Sequence, residues 1–78
     1  EINSHVSDQQ GRMAEIEAHY QAEGAQIDHL DGVTINFPTW WANVRPSNTE
    51  PLLRLNVEAN SEAEMEARRD DVLRLIRR

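Results

Sequence analysis

The chain has no cysteine and no lysine, and only three glycines, three prolines and 5% aromatic residues among its 78. Without cysteine there is no disulfide, no thiolate nucleophile and no cysteine-based zinc site, a usage compatible with a reducing compartment. No apolar run approaches the roughly 20 residues that a membrane-spanning helix needs, and the first residues carry neither the basic nor the apolar region of a signal peptide. A cytoplasmic protein with no membrane partner is expected. Positive charge is also scarce: eight bases, all arginine, stand against fourteen acids, for a net charge of −6. That field repels a nucleic-acid backbone, so no nucleic-acid partner is expected. A chain this short buries only about 60% of its unfolded surface and supports one modest core. Residues 1–78 therefore read as a single domain, better suited to sharing a site than to enclosing one.

What is present concentrates in Arg45-Pro46-Ser47-Asn48-Thr49-Glu50-Pro51, between the β-rich runs Trp40 to Val44 and Leu52 to Glu58. Arginine presents a planar fork of donors matched to two phosphate oxygens. The hydroxyls of Ser47 and Thr49, the Asn48 amide and the loop's backbone N–H groups can turn toward the same point. Proline at 46 and 51 fixes φ at two places, leaving fewer conformations to freeze when a ligand binds. The competing reading is an ordinary loop whose short polar side chains cap their own backbone. Glu50 would repel a phosphate, and is expected to turn away and brace Arg45 or cap the loop. Arg54, just past the loop on the polar face of its strand, is either a second phosphate donor or a solvated residue.

Periodicity supplies the frame. Glu1 to Val6 reads as a short strand. Ser7-Asp8-Gln9-Gln10 has the form of a capping box, and Met13, Ile16 and Tyr20 follow at helical spacing, giving a helix over about 8–23 that ends at Gly24. Gln26 to Leu30 is a short run, Asp31-Gly32 is a two-residue hairpin signal, and Val33, Ile35 and Phe37 alternate with polar residues. After Pro51, Leu53, Leu55 and Val57 share one face while Arg54, Asn56 and Glu58 share the other. Ser61-Glu62-Ala63-Glu64 fits a second capping box, and acids in the first turns with arginines in the last complement the dipole of a helix running to the C-terminus. The order is strand, helix, three strands, helix. An α+β fold is expected, with a four-stranded, mainly antiparallel sheet and both helices packed on one face.

Other chemistry is thin. His5, His19 and His29 are scattered and show no metal-ligand spacing. No carboxylate pair suits acid–base work, and no nucleophile has a base beside it. Trp40 and Trp41, adjacent on a strand, point to opposite faces: one is expected in the core, the other stacked on a sugar or, preferably, packed against a neighbouring domain.

Arg45 to Pro51, followed by Leu52-Leu53-Arg54-Leu55-Asn56-Val57-Glu58-Ala59, resembles the phosphate-binding loop in the last domain of the α-D-phosphohexomutases. The likeness extends upstream through Asp31-Gly32-Val33, Trp41 and Glu1-Ile2-Asn3, and Asn48 is similar to the mannose/glucose branch. The resemblance implies a domain related to the TATA-binding-protein fold, excised from a longer multidomain enzyme. That enzyme would be an isomerase moving a phosphoryl group between C1 and C6 of mannose or glucose phosphates (the 1- and 6-phosphates of each). Its phosphoserine and Mg²⁺ would lie in preceding domains, the partners of this one. Arg45, Ser47, Asn48, Thr49 and Arg54 would bind substrate phosphate, with no catalytic residue and no cofactor in these residues. The isolated chain is then expected to be inactive. The alternative is a stand-alone interaction module whose acidic helix and exposed tryptophan bind another protein.

Overall fold

In a computed structural model describing residues 1–78, alternation along the strands decides which face of the sheet is covered. Trp40, Ala42 and Val44 are buried on one strand and Leu53 and Leu55 on the next, while Trp41, Asn43, Arg45, Arg54 and Asn56 face the other way, only partly buried. The elements in chain order are β1 (Ile2–His5), α1 (Gln9–Ala22), β2 (Gln26–Asp28), β3 (Val33–Asn36), β4 (Trp40–Pro46), β5 (Leu52–Ala59) and α2 (Glu62–Ile76). They form one sheet in the order β1-β5-β4-β3-β2, with every neighbouring pair antiparallel. The α+β class is as expected, but the sheet has five strands rather than four. Both arms of the first hairpin pair as strands, with Ile27 opposite Ile35.

Both helices close the apolar face. Met13, Ile16 and Tyr20 of α1 and Val72 and Ile76 of α2 join the strand residues in one buried cluster. Ile16, Ile35, Val44, Leu53 and Val72 are fully inaccessible, and burying side chains of this size contributes about 1.5–3 kcal/mol each. Trp40 is the core tryptophan. It stacks on Phe37 with centroids 5.0 Å apart, meets the edge of Tyr20 at 5.7 Å and carries the Arg68 guanidinium 5.1 Å above its ring. Trp41 lies on the uncovered face, next to Glu58 across the ladder.

Local signals fared unevenly. Ser61 caps α2 by accepting from the Glu64 amide at 3.1 Å, but the Glu64 carboxylate accepts from Thr39 Oγ1 instead of closing the box. At α1 the cap is Asp8 rather than Ser7, its carboxylate accepting from the Gly11 amide at 3.0 Å. A carboxylate immediately before the first turn reaches that amide where a serine one residue earlier cannot. The hairpin tip runs from His29 to Gly32, longer than the two-residue turn expected, because Asp28 Oδ1 accepts from the Leu30 amide at 2.7 Å and opens the loop.

Candidate functional site

Arg45 lies near the end of β4 and Arg54 near the start of β5, and the two are direct partners across the ladder. Arg45 thus belongs to a strand rather than to the loop, since pairing continues through Pro46 and Leu53. Both guanidinium groups stand on the uncovered face. Like charges directly opposite one another are unfavourable, and Glu1 offsets this: its Oε1 lies 3.2 Å from Arg45 Nη2 and its Oε2 3.0 Å from Arg54 Nη1. Asp31 Oδ2 approaches Arg45 Nη1 at 3.4 Å. Hydrogen bonds from Arg54, and next from Arg45, hold the Glu1 carboxyl below the usual carboxylate range. The Nε of Arg45 is buried and has no acceptor.

The connection from β4 to β5 is held from within and from α1. Ser47 is buried, and its Oγ accepts from the Thr49 and Glu50 amides, both at 3.3 Å, leaving its own proton to donate. Its amide donates to the Leu52 carbonyl at 3.0 Å. Gln9, at the start of α1, donates from Nε2 to the carbonyls of Ser47 at 3.1 Å, Glu50 at 3.0 Å and Leu52 at 2.7 Å. Sequence reasoning missed this role, because Gln9 read only as part of a helix start. Asn48 and Thr49 sit exposed at the tip. Glu50 does not brace Arg45; its contribution is backbone, and the carboxylates on Arg45 are those of Glu1 and Asp31.

All five residues picked out in the sequence, Arg45, Ser47, Asn48, Thr49 and Arg54, line one open cavity of about 540 Å³, beside Asp31 and Gly32. Arg45 also borders a second hollow of about 620 Å³ on the uncovered face, around Trp41, Asn43 and Asn56. Asn43 is occupied there, its amide donating to the Asp31 carbonyl at 2.7 Å and to Thr34 Oγ1 at 3.0 Å. The arrangement presents two cationic forks, a free hydroxyl proton and two exposed polar side chains to a single volume, a donor set for a small, multiply charged anion. His29 pairs with Glu17 and His19 with Glu23. Nowhere do three histidine, cysteine or acidic side chains gather to hold a metal ion.

Residues 1–75 match the family described as phosphoglucomutase/phosphomannomutase, C-terminal domain. The chain belongs to this family. It is 42% identical over 77 residues to a phosphomannomutase of Salmonella montevideo, covering 97% of this chain and 17% of that protein. It is 43% identical over 76 residues to a phosphomannomutase of Methanocaldococcus jannaschii, covering 97% of this chain and 16% of that protein. A protein of Xanthomonas campestris pv. campestris named for phosphohexose mutases matches at 42% over 78 residues, 99% of this chain and 17% of its own length. The chain thus spans about one-sixth of the curated relatives it matches. No helix of this C-terminal domain is long and apolar enough to cross a membrane.

Proposed function

We propose that this C-terminal domain holds the non-reacting phosphate of a hexose phosphate within a phosphomannomutase/phosphoglucomutase. The observation that carries the reading is the convergence of Arg45, Ser47, Asn48, Thr49 and Arg54 on one cavity. Arg45 binds two phosphate oxygens through its fork, Arg54 adds a second cation, Ser47 and Thr49 donate their hydroxyl protons, and Asn48 donates through its amide or the loop backbone.

In this reading the longer polypeptide is a cytoplasmic isomerase of carbohydrate metabolism that moves a phosphoryl group between C1 and C6 through a bisphosphorylated intermediate. Its substrates are the 1- and 6-phosphates of mannose and glucose. The preceding domains of the same chain carry the phosphoserine and the Mg²⁺, and likeness to the TATA-binding-protein fold belongs to the same reading. A clamp on the remote phosphate uses binding energy away from the reacting centre to hold the other end in line for transfer. The intermediate must reorient to present its second phosphate, so the clamp has to release as well as hold. An open site on one edge of a small domain suits that demand.

The test is a titration of the isotopically labelled chain with inorganic phosphate, glucose 6-phosphate and mannose 1-phosphate, following backbone amides. Binding is expected on the order of millimolar, about 4 kcal/mol, with shifts confined to the β4–β5 connection and lost in Arg45→Ala. Shifts that persist in that variant, or that cluster on the helices instead, would return the chain to the interaction-module reading.

A further inference from the structure

The carboxylate of Glu1 stands where an anion bridging the two arginines would stand. Its two oxygens take one donor from each guanidinium, at 3.2 Å from Arg45 and 3.0 Å from Arg54. Sheet order explains how it gets there. β1 is the neighbour of β5 on the side away from β4, with Asn3 opposite Arg54, so the residue two before Asn3 projects from the same face. Glu1, just before β1 and diagonal to Arg54, therefore reaches across to both arginines, an anion beside two cations.

We infer that Glu1 is an internal counter-anion that an incoming phosphate displaces, so that it sets how tightly the site holds its ligand and how readily it lets go. The inference rests on the phosphate reading above and adds its regulation. Two arginines facing each other without a counter-charge would bind an anion at their joint focus; with the Glu1 carboxylate in place the local charge falls by one and two donors are engaged. The bridge is half-exposed at all three side chains, so it is weak enough to open. Asp31, at 3.4 Å and largely exposed, is the lesser brake on Arg45 alone. The low titration range of the Glu1 carboxyl agrees with this geometry, because both arginines favour its charged form. When phosphate takes those donors, that range should rise toward the ordinary 4.5.

The experiment titrates inorganic phosphate into the wild-type chain, Glu1→Gln and Glu58→Gln at fixed pH and ionic strength, reading the loop amides. Glu58 lies further along β5 on the same face, opposite Trp41 and away from both arginines, so its variant makes the same change in net charge without touching the bridge. Glu1→Gln is expected to bind phosphate roughly two- to thirtyfold more tightly, the range spanned by two exposed ion pairs, and Glu58→Gln to change it much less. In the wild type, saturating phosphate is expected to move the titration of the Glu1 side-chain carboxyl upward. Equal affinity in Glu1→Gln and wild type, an equal gain in Glu58→Gln, or an unmoved Glu1 titration would each overturn the inference while leaving phosphate binding intact. Absence of phosphate binding in all three chains would overturn the phosphate reading and the inference with it.

Discussion

A β-carbon placed on Gly32 would lie 2.9 Å from the Cα of Arg45 and closer still to the carbonyl oxygen of Val44. Gly32 also has φ +66°, a conformation that side-chain-bearing residues rarely adopt. The hairpin tip is thus pressed onto the strand that carries the site's principal cation. Gly32→Ala is expected to cost about 1–3 kcal/mol through strain and the forced shift of β4. The urea midpoint measures the loss, and the Arg45 amide resonance should move with it; an unchanged midpoint would mean that the two segments part freely.

Gln9 offers a second lever on the same connection. Its two amide protons are shared among three loop carbonyls, so Gln9→Ala should cost about 1–3 kcal/mol and speed hydrogen exchange at the Ser47 amide. Gln9→Glu should be worse than alanine, because an ionised carboxylate only accepts and would face three acceptors. Finding the glutamate variant as stable as wild type would show that the carbonyls are satisfied by water.

Tyr20 makes alkaline stability a one-residue question. Burial, with smaller contributions from Asp71 and Glu23, pushes its hydroxyl up to about 12 from 10.0. The unfolded chain therefore loses this proton first, so stability is fully present below pH 10 and falls as pH rises toward 12, by on the order of 2 kcal/mol. The chain has one tyrosine and no lysine, so little else titrates in that window. Urea midpoints across it should fall in the wild type and stay flat in Tyr20→Phe; parallel curves would defeat the assignment.

Core and surface leucines should separate cleanly. Leu53 is fully buried in the core, whereas Leu30 at the hairpin tip is 93% exposed. Leu53→Ala is expected to cost about 2–5 kcal/mol and Leu30→Ala to stay within about 0.5 kcal/mol, both read from thermal or urea unfolding. A large loss at Leu30 would show that the tip packs on something in solution.

Whatever depends on neighbours a few residues apart could be read along the chain. Alternation put Leu53 and Leu55 on one face and Arg54 and Asn56 on the other, helical spacing aligned Met13, Ile16 and Tyr20, and Ser61 capped its helix. Each rests on the fixed geometry of a strand or a turn of helix. That Arg45, Ser47, Asn48 and Thr49 border one cavity follows for the same reason, since they are nearly contiguous. Two local readings failed where neighbouring side chains compete for the same amides: Asp8 displaced Ser7 as the cap, and Asp28 reshaped the hairpin tip. The order of the strands, and with it the meeting of Glu1 with Arg54 and Arg45, came from the tertiary structure, as did the hold of Gln9 on the loop. Those contacts join residues 53, 44 and 43 positions apart. They exist because packing Ile16 and Val72 against the sheet brings distant segments together, and no periodicity in the chain encodes which polar tips then meet.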